Sequence, residues 1–445
     1  MNLNDLKPLK GNVYIETYGC QMNVGDSEIV ASILKKDRWQ IVDSLALADV
    51  ALVNTCAIRQ GAEEKIFGRL KEWRAAKRTN KHLLVGVIGC MAERLKETLF
   101  ENNMADIVAG PDTYRAMPQL IERAAAGEKA INTLLSTQET YAEIEPVRLS
   151  SNGVSAFVSI MRGCNNFCAY CVVPYTRGRE RSRSVSTIVA EVRALLAQNY
   201  HQVTLLGQNV NSYNDQGVDF ADLLTAVSEI SPQLRVRFST SHPKDFSDRV
   251  IQTMRTHPNI GRSIHLPAQS GSDAMLEKMK RRYTHQWYMD RIEAIKRNLP
   301  DCTITTDLIA GFSGETIEDH LQTLSLMRQV GYSYAYMFAY SQRPGTFAAA
   351  NLADDVEQKE KIRRLSEIIE LQNSLSLQNN ENDVGRIFEV LIEGHSKRSE
   401  QQMFGHTSQN KIAVFDSVPG LAIGDFVKVK VLSVSSATLH AVIVM

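Results

Sequence analysis

The stretch that most constrains the fold is RGCNNFCAYC, from Arg162 to Cys171, which sets Cys164, Cys168 and Cys171 at CxxxCxxC spacing after an apolar, strand-like run. Structural zinc and ordinary electron-transfer clusters take four protein ligands. A tight triplet with no fourth cysteine or histidine close by leaves one metal position open, which suits chemistry better than stapling. Spacing alone also allows a zinc site with a remote fourth ligand, or three unrelated thiols.

Around the triplet a β-α unit repeats. The strand-like runs are AFVSIMRG, QVTLLGQN, RVRFST, RSIHLPAQ, TITTDLIAGF and SYAYMFAY, separated by segments long enough for a helix each, such as 185–197 and 285–297. Six such repeats predict a barrel, complete or partial, with its reactive groups at the carboxyl ends of the strands. Polar residues cap those ends: Gln208, Asn209 and Asn211, then Ser239 to His242, then Gln269 and Ser270, then Asp307 and the loop GFSGE from Gly311. Their amides and hydroxyls can hydrogen-bond a nucleoside and an amino-acid moiety, although each taken singly also reads as an ordinary turn or cap. Cys302 falls at the amino end of the fifth strand and reads as packing.

A second alternation of strands and helices runs from Asn12 to about Ala126, through VYIETYGC, a helix over 26–39, DVALVNTC, a helix over 63–77, HLLVGVIGC and DIVAG. This predicts a parallel sheet flanked by helices. Cys20, Cys56 and Cys90 each end one of its first three strands, at the edge where open α/β sheets hold their ligands. Gly19 and Gly89 precede two of them and let the backbone turn tightly beside a bulky group. The alternative is three buried core thiols.

The expected fold class is therefore α/β. An amino-terminal doubly wound parallel-sheet domain spans 12–128, a polar stretch ending SSNG links it onward, and a central (β/α)6 partial barrel spans 152–378. The helical, charged segment 354–378 ends at NNEND, and five short strand-like runs then predict a small antiparallel β-barrel over 380–445. With 445 residues and 44% hydrophobic content the chain can fill three cores. It has no apolar run long enough to span a bilayer and no secretory start, so a cytoplasmic protein without a membrane partner is expected. Seven cysteines without such a start argue for reduced thiols. Basic and acidic residues balance at 50 each, so any polyanion must meet a local patch. Candidates are RGRERSR, with Arg177, Arg179 and Arg181, then KMKRR from Lys278, and the last barrel with Lys397, Arg398, Lys411, Lys428 and Lys430. A charge run of this kind is also what a solvated face looks like.

The triplet, with Tyr170 before its last cysteine, resembles the radical S-adenosylmethionine superfamily, in which such thiolates hold a [4Fe-4S] cluster whose fourth iron chelates the cofactor's amino and carboxylate groups. Over nearly its whole length the chain resembles the radical S-adenosylmethionine methylthiotransferases, which end in a TRAM domain of the oligonucleotide-binding barrel kind. The matching stretches are CQMNVGDSE at Cys20, NTCAIR at Cys56, GC at Cys90, GCNNFCAYCVVPYTRGRERSR from Gly163, LLGQNVNSY from Leu205, HLPAQSGS from His265, TDLIAGFSGET from Thr306 and YSQRPGTFAA from Tyr340. Ser313 departs from the pattern, standing where the family carries proline.

That resemblance implies two [4Fe-4S] clusters, one on Cys164, Cys168 and Cys171 that binds S-adenosyl-L-methionine, and one on Cys20, Cys56 and Cys90 that presents sulfur. With Tyr170, the strand-end residues Gln208, Asn209, Asn211, Gln269, Ser270 and Gly311 are then the expected cofactor contacts, and Arg177, Arg179, Arg181, Lys428 and Lys430 of the basic clusters the expected RNA contacts. The wording VVPYTRG and GQNVN is most similar to family members that methylthiolate carbon 2 of N6-isopentenyladenosine next to the anticodon of tRNA. A ring carbon without an acidic proton calls for radical chemistry, and the base must leave its stack to be reached. The implied partners are a tRNA anticodon stem-loop and an electron donor such as flavodoxin or ferredoxin, with the chain as a monomer. Sister activities on threonylcarbamoyladenosine or on a ribosomal protein, and a non-catalytic zinc-bearing RNA-binding protein, are the competing readings.

Overall fold

The computed structural model describes residues 8–56, 60–101, 103–149 and 152–444, so Ala57 to Arg59 of NTCAIR, both serines of the linker and Met445 lie outside the described residues. Two units emerge, the first holding the chain up to 149 with 161–167 and 171–183, the second holding 152–160, 168–170 and 184–444.

In the first unit, β1 (Gly11–Tyr18), β2 (Trp39–Val42), β3 (Val50–Thr55), β4 (Leu84–Gly89), β5 (Ile107–Ala109) and β6 (Ala130–Asn132) form one parallel sheet in the order β2-β1-β3-β4-β5-β6. Every residue of β3 is buried, as a strand covered on both faces requires. Ile29, Val30 and Leu34 of helix Gln21–Lys36 and Leu120 and Ile121 of helix Met117–Ala125 build one apolar layer. Ile66, Leu70 and Trp73 of helix Gln60–Ala76 build another. The expected helix over 26–39 ends early. Arg38 takes a left-handed φ of 69°, and the four residues WQIV become the edge strand β2 against β1. Strand order reverses between β1 and β3, the switch point at which open α/β sheets form a ligand crevice.

Past β7 (Ser155–Ser159), which belongs to the second unit, β8 (Met161–Arg162) and β9 (Arg181–Ser182) pair antiparallel at the base of the first unit's loop.

The second unit continues with β10 (Gln202–Leu206), a short hairpin of β11 (Asn214–Asp215) and β12 (Val218–Asp219), then β13 (Arg235–Ser239), β14 (Ser263–His265), β15 (Thr303–Ala310) and β16 (Tyr334–Ala339). The six main strands are parallel and neighbour one another in chain order, β7-β10-β13 and β14-β15-β16, joined by a bridge between Val236 and Ile260. This is the expected partial barrel. Its five crossover helices begin at Ser184, Asp219, Ser247, Thr284 and Thr316, each of whose side chains accepts a backbone N–H of the first turn, so short polar caps in the sequence set the starts.

Helix Gln358–Glu381 runs on into the NNEND segment and leads to a closed barrel of β17 (Ile387–Ser396), β18 (Ser399–Thr407), β19 (Ile412–Asp416), β20 (Phe426–Val434) and β21 (Thr438–Ile443), ordered β17-β18-β19-β21-β20. The sequence predicts an antiparallel barrel, but β19 and β21 run parallel. A closed ring of five strands cannot alternate direction at every step, so one parallel pair is unavoidable. Val390, Ile392, Phe415, Val429 and Leu439 fill it. The barrel rests on the amino-terminal ends of the sheet strands: Arg235 Nη1 donates to His406 O at 2.7 Å, Arg237 to Thr407 O at 2.6 Å and Ser408 O at 3.1 Å, and Thr303 Oγ1 to Gln409 O at 2.7 Å. Among the described residues no helix is long and apolar enough to cross a membrane.

Candidate functional site

Cys20, Cys56 and Cys90 follow β1, β3 and β4, which are adjacent in the sheet. Cys20 caps helix Gln21–Lys36, and Cys90 opens helix Cys90–Leu95. At Gly19, φ +132°, a Cβ would lie 2.6 Å from the Cβ of Cys56 and 2.7 Å from Asn23 Oδ1, so only glycine lets these turns close. A relay of buried amides holds them. Asn54, at the end of β3, donates to Asn23 O at 2.9 Å and Ser27 Oγ at 3.0 Å and accepts from Asn23 Nδ2 at 3.0 Å, while Asn23 Oδ1 accepts the Cys20 N–H at 3.3 Å.

The neighbouring Cys56 thiol, helped by the charge of Arg177, pulls the exposed Cys20 down to about 6. Burial pushes Cys90 up, opposed by Arg177, whose Nε donates to Cys90 Sγ at 3.1 Å. Arg177 and Arg181 are corrections to the expected RNA contacts. Both are buried, Arg177 bound to Asp26 at 2.7 Å and Arg181 to Asp112 at 2.8 Å, so neither guanidinium can face a phosphate. Arg162 completes the network with Asp26 at 2.8 Å. Arg179 alone of the three is exposed, 4.3 Å over the ring of Phe167.

The second triplet lies in the loop that β8 and β9 close. Gly163, φ +79°, lets that loop pass the opposite backbone, since a Cβ there would meet Arg179 O at 2.0 Å. Cys164 N–H donates to Gly178 O at 3.2 Å. Cys164 and Cys168 are buried and Cys171 is half-buried.

In the second unit, Ala169 is pinned by backbone bonds to Met279 O at 2.9 Å and from Ala348 N at 2.7 Å. Tyr170 packs edge-on against Phe312, with centroids 6.4 Å apart. Arg281, hidden inside the run KMKRR, is buried and donates to Cys168 Sγ at 3.3 Å, Tyr170 Oη at 3.4 Å and Pro267 O at 2.7 Å.

The polar residues at the strand ends divide into two groups. Gln208 Oε1, both amide atoms of Asn211, Ser241 Oγ and both ring nitrogens of His242 are buried with no hydrogen-bond partner among the described residues. Burial, with Arg281 nearby, holds the His242 imidazole neutral. Buried polar atoms without partners are costly, and together they fit a ligand rich in donors and acceptors. The other group is committed to the protein. Asn209 accepts the His242 N–H at 3.1 Å and donates to Asp245 at 2.7 Å. Ser270 Oγ meets Thr323 Oγ1 at 3.2 Å and accepts the Ser272 N–H, also at 3.2 Å. Gln269, φ +70°, exchanges backbone bonds with Asp307 and Ile309. Gly311 lies against Lys361, where a Cβ would come within 2.3 Å of Cγ. Asn209, Ser270 and Gly311, expected from sequence as cofactor contacts, thus hold their own loops in the structure.

Lys428 and Lys430 are exposed on β20, whereas Lys411 is taken up by Asp383. Sequence reasoning missed Asn23, Asp26, Asn54, Asp112, Arg162 and Arg281. Several of their partners are far along the chain, Ser27 lying 27 residues from Asn54, Cys168 113 from Arg281 and Arg177 151 from Asp26, beyond any local pattern.

The donor chemistry fits thiolate-bound iron–sulfur groups: two sets of three cysteines, no disulfide among the described residues, and an arginine donor on one sulfur of each set. Among the described residues no three cysteine, histidine, aspartate or glutamate side chains enclose the position of a single metal ion. A four-iron cluster instead takes each thiolate at a different iron.

Three family models match the chain: Uncharacterized protein family UPF0004 over 12–110, the Radical SAM superfamily over 158–327 and the TRAM domain over 381–444. The chain is 54% identical over 431 residues to the tRNA-2-methylthio-N(6)-dimethylallyladenosine synthase of Parabacteroides distasonis, covering 96% of this chain and 94% of that one. It is 53% identical over 439 residues to the enzyme of the same name from Porphyromonas gingivalis, covering 97% and 95%. Among solved structures, the radical S-adenosylmethionine methyltransferase TsrM from Kitasatospora setae, with cobalamin and a [4Fe-4S] cluster bound, superposes with a TM-score of 0.58 at 12% identity over 77% of this chain and 74% of that chain. At that identity the likeness is one of fold.

Proposed function

The chain belongs to the family of tRNA-2-methylthio-N(6)-dimethylallyladenosine synthases, and from that premise we infer that it methylthiolates carbon 2 of N6-isopentenyladenosine beside the anticodon of tRNA. The observation that carries this reading is the 54% identity to such a synthase over 96% of the chain, together with family matches over 12–110 and 158–327 that span the two cysteine triplets. A [4Fe-4S] cluster and S-adenosyl-L-methionine follow from the radical family. When bound, such groups supply the radical that removes hydrogen from the adenine carbon, and the sulfur and methyl that replace it.

We assign the amino-terminal ligands to Cys20, Cys56 and Cys90, and those of the cofactor-binding cluster to Cys164, Cys168 and Cys171. Support for a second cluster comes from the thiols being set at three adjacent strand ends, with Cys20 and Cys56 in mutual contact. Gln208, Asn211, Ser241 and His242 offer the unpartnered donors and acceptors for the cofactor's polar groups, and Arg281 holds Tyr170 in place. Buried side chains on this edge exclude water from a radical site.

Exposed Arg179, Lys428 and Lys430 suit phosphate contacts that position the stem-loop. A cytoplasmic, monomeric chain reduced by a flavodoxin- or ferredoxin-type donor completes the proposal. The deciding experiment is mass spectrometry of tRNA nucleosides from cells lacking this chain. Loss of 2-methylthio-N6-isopentenyladenosine, restored by the gene, is expected; an unchanged level of that nucleoside overturns the substrate assignment.

A further inference from the structure

Arg177 was legible only as one member of a basic run, yet it is among the most committed side chains of the first unit. It is 2% exposed, its Nε donates to Cys90 Sγ at 3.1 Å, and its Nη2 donates to Asp26 Oδ2 at 2.7 Å. Nη1 is also buried and has no partner among the described residues. Asp26 is shared with Arg162 Nη1 at 2.8 Å, and Asp112 binds Arg181 Nη2 at 2.8 Å and lies 3.7 Å from Arg162 Nε. Three guanidiniums thus face two carboxylates in a buried network, which keeps one positive charge even with both carboxylates ionised. The member that meets the thiols is Arg177, while Arg162 and Arg181 meet carboxylates and backbone carbonyls. Val172, five residues before Arg177, packs on Cys90 from the same segment.

We propose that Arg177 is a positioning residue for the centre held by Cys20, Cys56 and Cys90: its N–H to the Cys90 sulfur and its buried charge set the electron affinity of that centre and offset the charge of an added anionic sulfur. This rests on the assignment of an iron–sulfur cluster to these three cysteines. Hydrogen bonds to ligand sulfur and net local charge are the levers by which a protein moves a cluster's potential. Asp26 acts on the same centre with the opposite sign, because it withdraws part of the guanidinium's charge and fixes the fork's direction. The buried Nη1 is the donor available to sulfur that arrives from outside.

The test uses the full chain carrying Cys164→Ala, Cys168→Ala and Cys171→Ala, so that the remaining signal belongs to the first centre. Iron content and the midpoint potential, followed by electron paramagnetic resonance, are compared for Arg177, R177K, R177M and D26N. R177M is expected to lower the reduction constant about tenfold, a negative shift of about 59 mV for a one-electron couple. D26N should shift it the other way, and R177K, which keeps the charge but not the fork, should fall between R177M and the parent. Should R177M fail to retain iron, R177K and D26N decide by the same signs. Unchanged potentials, or shifts of one sign in every variant, overturn the proposal. Absence of a cluster from the parent itself overturns the underlying ligand assignment instead.

Discussion

Arg281 Nη1 lies 3.3 Å from Cys168 Sγ, while the other faces of its guanidinium hold Tyr283 Oη at 3.0 Å and Pro267 O at 2.7 Å. One strand-end loop of the partial barrel therefore grips the middle cysteine of the second triplet. Losing that cysteine is expected to have a different chemical outcome from losing one of the first triplet. Cys168→Ala should abolish formation of 5′-deoxyadenosine, since the cluster loses one of three thiolates. Cys56→Ala should still form 5′-deoxyadenosine yet yield no methylthio nucleoside. Measuring both products side by side for the two variants checks the division; a normal yield of methylthio nucleoside from Cys56→Ala would sink it.

The loop of the second triplet depends on Gly163. An alanine there must adopt φ near +79° and place its Cβ 2.0 Å from Arg179 O, backbone that has no way to yield. Gly163→Ala should drop iron from about eight to about four atoms per chain, one [4Fe-4S] cluster of two, with S-adenosylmethionine cleavage lost. Iron analysis after anaerobic reconstitution reads this directly.

Lys428 and Lys430 stand exposed on β20, and the barrel that carries them docks through Arg235 and Arg237 rather than through these two lysines. Charge reversal of both to glutamate should weaken stem-loop binding and reduce the slope of log affinity against log salt by about 1.4, two phosphate contacts at the single-strand value. Iron content and cofactor cleavage should stay at parental levels. A salt titration by fluorescence anisotropy tests it, and an unaltered slope removes these lysines from the RNA surface.

Glu93 is buried beside Gly110, with Oε2 unpartnered among the described residues and Lys96 3.3 Å from Oε1; burial raises its carboxyl to about 7. Between its unfolded value of 4.5 and about 7, the folded chain holds a proton that the unfolded chain has lost. This group's contribution to stability therefore falls as pH rises through that window and stays low above it. Glu93→Gln, which keeps shape without charge, should stabilise by about 2 kcal/mol at pH 8 and by little at pH 5. Thermal unfolding of the anaerobic protein at the two pH values checks the sign.

Much of this site is legible in the sequence because strand ends are marked locally. Cys20, Cys56 and Cys90 each close an apolar run, and Gly19 announces the tight turn. β2 was hidden because WQIV follows the preceding helix with neither glycine nor proline between them. Arg177 and Arg181 were misread for a deeper reason. A run of arginines carries the same local signal whether it meets water or buried aspartates, and Asp26 and Asp112 lie 151 and 69 residues away. Asn209 and Ser270 show the converse: amides and hydroxyls at a strand end serve a ligand or their own loop, and only geometry separates the two.

The distance along the chain between Arg177 and Cys90, 87 residues, also orders events on the ribosome. Strands β1, β3 and β4 emerge in turn, so the sheet that gathers the three thiols can be complete while the segment bearing Arg177 is still unsynthesised. A nascent chain at that stage displays three cysteines without the guanidinium that covers Cys90, and Asp26 without either of its cations. Metal loading during synthesis would meet a centre of more negative charge than the finished one, so the arrival of residues 162 to 181 marks the earliest moment at which the site can take its final character.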